Sequence, residues 1–335
     1  MRRLIALCAA LAAIGAGTAV ALASHSSKTR LALPAARQTP LQVIAFTQAR
    51  PTSAARGSLS AHLASLTAIS PAWLSFGPDG AIAYRAADAF SRGLAARGAG
   101  LLPVLRDPEK RISAVLARAS SRKRTASRLA VMLRGLGAQG IVLDLGHVPA
   151  NVRSTLPAFL RDLRSALPAS SRVLLMVPPI SGAASQQANA GYDLRDLSRP
   201  ATLVVRAWSP RPAAEGPRPI ASLGWYKRTL RYTLAHAPRS RVIVALPTWG
   251  AVWSQSGVAQ RTQSELFRLA QPAALQQARG ARIEQGGQIS WVESDRSLQL
   301  KLEVARAAGV AGVALWVRGG ESAGVWREPL IEPTR

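Results

Sequence analysis

Eight short apolar runs rich in Val, Ile and Leu recur along the chain, separated by longer segments with the period of amphipathic helices. They read LQVIAF from Leu41, AWLSF from Ala72, GLLPVL from Gly100, GIVLDL from Gly140, RVLLMV from Arg172, ATLVVRAW from Ala201, RVIVAL from Arg241 and AGVALWV from Ala311. Helical spacing predicts helices over Ile112 to Gly135, Arg153 to Leu167, Trp225 to His236 and Leu298 to Ala308. Strands alternating with helices imply a parallel sheet with crossover connections, and eight such units over residues 41 to 330 fit one closed (β/α)8, or TIM, barrel of the α/β class. The competing architecture is an open, doubly wound sheet. It would need a phosphate-binding glycine turn after the first strand, and VIAFTQARP has none.

The chain has 335 residues, of which 48% are hydrophobic and 18% charged, enough for one large core and too few for two such domains. Arg2 and Arg3, an apolar run from Leu4 to Ala23 and small residues before Ser24 have the order of a secretory signal peptide over 1–23. The same run is long enough for a single-span anchor if it stays uncleaved, the one case in which the reading places the chain on a membrane. Residues 24–40 are small, polar and Pro-containing and read as a linker. The expected location is therefore outside the cytoplasm, in the periplasm, the medium or the cell envelope. Cys8, the single cysteine, lies in the expected leader, which leaves the barrel without disulfide or thiolate chemistry.

The formal charge is +26, and the leader would remove only Arg2 and Arg3 from it. Such a field attracts anionic envelope polymers with a strong salt dependence. Arg122, Lys123 and Arg124 fall on a predicted helix face turned to solvent. No basic stretch carries the interleaved aromatics that single-strand binding needs, so a specific nucleic-acid site is not expected.

Barrel enzymes carry reactive groups at the carboxyl ends of their strands, and the fourth run, QGIVLDLGHV, is the informative one. Alternation sets Ile141, Leu143 and Leu145 against the outer helices and turns Val142, Asp144 and Gly146 to the interior. A carboxylate on that inner face requires a partner.

Gly137 through Leu167 resembles the fourth strand and following helix of glycoside hydrolase family 18, with its D-x-x-D-x-D-x-E signature, and is most similar to the bacterial cell-wall and spore subgroup. Pro178-Pro179, the segment GPRPIASLGWYKRTLRYTLAHAP, ALPTWGAVW and WVESDRSLQLKLEVARAAGVAGVALWVRGGES add to the likeness, which covers residues 41 to 328. The signature is degenerate here. Gln139 and Val142 stand at its first two aspartates, Asp144 retains the third, and Gly146 stands at the glutamic acid. On the sixth run Arg206, Ala207, Trp208 and Ser209 replace the family's M-x-Y-D. The resemblance implies that the glutamic acid would protonate the glycosidic oxygen while the third aspartate orients the substrate's acetamido group. With glycine at the acid position, hydrolysis is not expected.

His147, Glu293 and Glu321 are the candidates for a relocated acid; alternation points His147 away from the interior, and the two glutamates read as surface or loop charges. HExxH and P-loop motifs are missing and no phosphate-binding glycine turn follows the first strand, so no metal or cofactor is expected. Trp316 matches the tryptophan that floors the family's central sugar subsite, and Trp208 and Trp249 also lie at strand ends, where indole faces can stack on sugar rings. Asp144 and Arg206, both inward-facing, are expected to pair, with a cost of roughly 3 to 5 kcal/mol for stranding the arginine. The reading is a barrel that binds an N-acetylhexosamine glycan, such as peptidoglycan, chitin-like chains or exopolysaccharide, without cleaving it. Two alternatives stay open: an active glycosidase with a relocated acid, and an envelope protein that binds polyanions by charge.

Overall fold

The computed structural model describes residues 41–77, 81–84, 88–209, 216–275, 277, 280–316 and 319–326. The expected leader and linker, and residues 327–330 of the expected barrel, lie outside the described residues.

Strands β1 (Gln42–Thr47), β7 (Gly140–Asp144), β8 (Arg172–Val177), β9 (Thr202–Arg206), β10 (Val242–Leu246) and β15 (Gly312–Trp316) occupy six of the eight expected runs. The other two are each interrupted. One consists of β2 (Ala68–Pro71) and β3 (Leu74–Phe76), bent at Ala72-Trp73; the next consists of β5 (Gly100–Leu101) and β6 (Val104–Arg106). The bent strand begins four residues before the apolar run that announced it. Pro103 explains the break between β5 and β6, because it offers no N–H to the ladder. Its carbonyl still accepts from Val142 N.

All barrel pairings are parallel. β1 pairs with β15 and β2, and β7, β8, β9, β10 and β15 follow one another in order. The ring closes through the interrupted strands, with Ala68 opposite Gly100 and Leu74 opposite Leu105. Beyond the bend β3 takes β4 (Ile82–Tyr84) antiparallel on its other side.

Period-2 alternation sorts the core into two shells. Ile44, Phe46, Val104, Val142, Leu174 and Val204 fill the barrel interior, while Val43, Leu105, Ile141, Leu143, Leu175 and Val205 pack outward against the helices. The helix Ala119–Gly135 buries Thr125, Ala126, Leu129, Ala130 and Leu133, one face at helical spacing. On its other side Lys123 and Arg124 are exposed, whereas Arg122 is half-buried, donating to the Leu116 carbonyl and lying 3.6 Å from Asp162. Leu156–Ala166 starts with Pro157 in its first turn, where the missing N–H costs no bond. Ser294 caps Asp295–Ala307 by accepting from Ser297 N.

After β10 the chain leaves the barrel. ELFRLAQPAALQQA has helical spacing, but the main feature of this gap is a four-stranded antiparallel sheet in the order β12-β11-β14-β13, made of β11 (Trp249–Ser254), β12 (Gly257–Thr262), β13 (Ala281–Gln285) and β14 (Gln288–Val292). The helical pattern survives as two short pieces, Gln263–Phe267 and Pro272–Leu275. Gly286 and Gly287, at φ +54° and +72°, make the two-residue turn between β13 and β14, a conformation that suits the right-handed twist of the flanking strands.

Candidate functional site

Residues at the carboxyl ends of the barrel strands form a mixed polar and aromatic layer above the apolar interior. Arg106, Asp144, Arg206 and Trp316 each follow an interior residue by two positions (Val104, Val142, Val204 and Ala314), so all four start from the inner face. Arg206 Nη1 lies 3.8 Å from Asp144 Oδ1, across the intervening β8. That is an ion pair longer than a hydrogen bond. Both side chains are partly covered, at 25% and 13% exposure. The neighbour of Arg206 in the ladder is Ala245, whose small side chain leaves room for the guanidinium.

The signature positions are not gathered in one place. Gln139 lies before β7, at the amino end of the barrel, where its side-chain carbonyl accepts from Leu101 N. Val142 is fully buried one layer below Asp144. Gly146 lies just beyond the strand with φ +61°, and nothing comes within 4 Å of the place a Cβ would occupy. Its carbonyl accepts a 2.8 Å bond from the Tyr192 hydroxyl. Burial pushes that phenol above its usual range; Arg206 pulls it back, while Asp144 and Asp107 add to the rise. Tyr192 is therefore a neutral donor.

Asp107 is a neighbour that the sequence reading missed. Its backbone N donates to the Asp144 carbonyl, but its carboxylate is taken by Arg111 N at 2.7 Å and Ile112 N at 2.8 Å, capping the helix Ile112–Leu116. Arg106 was missed as well, although period-2 spacing from Val104 in GLLPVLR marks it for the inner face. It sits opposite Asp144 in the ladder and is exposed.

Trp316 stacks on Phe46 with ring centroids 5.6 Å apart and planes 19° from parallel. Thr248 donates its hydroxyl to the Trp316 carbonyl, tying β15 to the segment after β10. Trp208 is half-buried and meets Trp249 edge to face at 6.5 Å. Trp249 is only 4% exposed and packs with Ile220, Trp253 and Trp291. It backs Trp208 rather than opening to solvent.

One expectation about carboxylates needs correction. Glu293 is not a surface charge: it is 1% exposed and ion-paired with the equally buried Lys301, and Ser297 Oγ donates to it at 2.6 Å. The partner stands eight residues on, and Ser297 and Lys301 share one face of Asp295–Ala307. Glu321 accepts from Gly319 N at 3.1 Å. His147 is exposed. Among the described residues no three His, Cys, Asp or Glu side chains gather as a metal site, and no helix is long and apolar enough to cross a membrane.

No protein-family model matches the chain. In sequence it is 24% identical over 202 residues to the Bacillus subtilis (strain 168) protein YdhD, named for a sporulation-specific glycosylase; the match covers 56% of this chain. It spans about half of that relative, 48% of its length. In structure it superposes on the spore cortex-lytic enzyme SleL of Bacillus cereus with a TM-score of 0.77 at 17% identity, over 88% of this chain and 74% of that one. A chitinase from Chromobacterium violaceum ATCC 12472 matches with a TM-score of 0.75 at 23% identity, over 85% and 96% of the two chains. In fold this chain is a (β/α)8 barrel like those of the chitinase and the cortex-lytic enzyme, and in sequence it is similar to a glycosylase.

Proposed function

We propose that the carboxyl-end mouth binds an N-acetylhexosamine-containing glycan of the cell envelope and does not cleave it. The observation that carries this reading is the backbone at Gly146. The position corresponding to the signature's acid has neither a side chain nor an ordinary L-residue conformation. The carboxylates that could stand in are committed elsewhere: Asp107 to two backbone amides, Glu293 to Lys301 and Ser297, and Asp144 to Arg206. A general acid has to reach the leaving oxygen at about 3 Å, and each of these side chains already has a partner of its own.

Binding needs no acid. Trp316 is held by Phe46, with Trp208 nearby on the interior side, and indole faces bind sugar rings by apolar contact. The names of the structural relatives, a chitinase and a cortex-lytic enzyme, support glycans of the chitin or spore-cortex kind as ligands.

The test is a paired assay on the purified protein. Reducing ends should not be released from chitin oligomers or peptidoglycan, while the same oligomers should change tryptophan fluorescence, and Trp316→Ala should abolish that change. Release of reducing ends that disappears in Asp144→Ala would overturn the reading in favour of an active glycosidase. Binding confined to polyanions, lost at moderate salt and indifferent to Trp316, would overturn it in favour of a charge-driven envelope protein.

A further inference from the structure

The charge of the mouth is not what a neutral glycan calls for. Among the described residues of the inner face, Arg206 faces Asp144 and Arg106 lies opposite Asp144 in the ladder, two guanidinium groups to one carboxylate. The second acid of the neighbourhood, Asp107, is buried and accepts from two backbone amides. Tyr192 stays neutral and donates to a carbonyl. Arg106 is exposed and has no ion pair among the described residues. Arg206 touches Asp144 through one 3.8 Å contact, which leaves most of its five donors unused within the described structure. An arginine held half-buried in the layer that also carries Trp316 can receive a planar anion, since its fork matches a carboxylate in two parallel hydrogen bonds.

We infer that this mouth selects a carboxylate-bearing glycan: a ring stacks on Trp316 and an acidic substituent, on that sugar or its neighbour, pairs with Arg206 and Arg106. This rests on the binding role proposed above and deepens it by naming the substrate class. The chemistry is shared by two kinds of sugar, uronic acids and N-acetylhexosamines with an acidic ether such as the lactyl group of peptidoglycan. In either case the ligand's carboxylate supplies a second negative charge beside the one that Asp144 contributes among the described residues of this layer.

Calorimetric titration of the full protein with three tetrasaccharides tests it: neutral chitotetraose, an N-acetylglucosamine–glucuronate oligomer, and a peptide-free peptidoglycan glycan. At least one acidic oligomer should bind about tenfold tighter than chitotetraose, the scale of one charge-assisted pair. Which of the two does so identifies the source of the acid. Methyl esterification of its carboxylates should erase the gain, as should Arg206→Gln, and Arg106→Gln in part. Arg106 is exposed, so its variant keeps the test available if Arg206→Gln does not fold. Polyglutamate checks for simple surface attraction.

Equal affinity for neutral and acidic oligomers would overturn the inference and leave the glycan-binding reading standing. Polyglutamate binding as tightly as the acidic sugar, with Trp316→Ala indifferent, would overturn it in favour of diffuse charge. No heat with any of the three would overturn both.

Discussion

Arg206 reaches past β8 to within 3.8 Å of the Asp144 carboxylate, so the sixth strand answers the inward charge of the fourth. The two residues lie in the segments where the family resemblance is most degenerate. Asp144 is thereby kept in company with a cation. The contact is long and both groups remain partly in solvent, which lowers its energetic weight below that of a fully buried pair.

A double-mutant cycle on Asp144→Asn and Arg206→Gln should give a coupling energy of about 1 kcal/mol rather than the 3 to 5 kcal/mol of a fully buried pair. Urea denaturation of the four proteins measures it. A coupling indistinguishable from zero would show that the two charges do not interact.

The large electrostatic cost should instead appear at Glu293 and Lys301. Both are 1% exposed, and replacing one partner leaves an uncompensated buried charge. Glu293→Gln and Lys301→Met are each expected to destabilise by roughly 3 to 5 kcal/mol, with the double replacement by Gln and Met recovering a good part of the loss. Additive losses in the double variant would overturn this account.

Placing an acid at the position we assign to the family's glutamic acid should not confer hydrolysis. Gly146 has φ +61°, so Gly146→Glu forces an L side chain into the left-handed region at a cost of about 1 to 2 kcal/mol, even though the space beside it is open. Val142 in place of the supporting carboxylate and Arg206 beside Asp144 also remain. Thermal denaturation and a reducing-end assay on the variant check both halves; glycosidase activity in Gly146→Glu would show that a single side chain separates binder from enzyme.

Alkaline pH should destabilise the fold. Free tyrosine ionises near pH 10, whereas burial holds Tyr192 and Tyr226 protonated to higher pH. Above about pH 10 the unfolded chain has lost protons that the folded chain keeps, so stability falls as pH rises; below it the stabilisation is whole. Urea midpoints from pH 8 to 11 should fall more steeply in the native protein than in Tyr226→Phe, whose cost is the bond to the Lys301 carbonyl. Identical slopes would count against the phenols.

The barrel was legible because local patterning determines it. Apolar runs such as VIVAL and VLLMV cannot be satisfied except as strands covered on both faces, and period 2 alone assigns Val142 and Asp144 to the interior. The antiparallel sheet from Trp249 to Val292 was not legible. Its strands are short and partly polar; GVAQRT is an edge strand paired with the adjoining β11, and β11 gains its other partner, β14, only from further along the chain.

The candidate site divides along the same line. The family resemblance alone raised the expectations of glycine at the acid's position (Gly146), of a retained Asp144 and of the indole of Trp316 as a sugar platform. Tertiary structure decided which charges face one another. It spent the carboxylate of Asp107 on a helix cap, buried Glu293 against Lys301, and set Trp249 behind Trp208. Above all it brought Arg206 to Asp144 and left Arg106 exposed at the same rim. The physical reason is range. Backbone patterning acts over a few neighbouring residues, whereas desolvation and ion pairing depend on groups that only the closed barrel brings together, here 62 positions apart in sequence between Asp144 and Arg206.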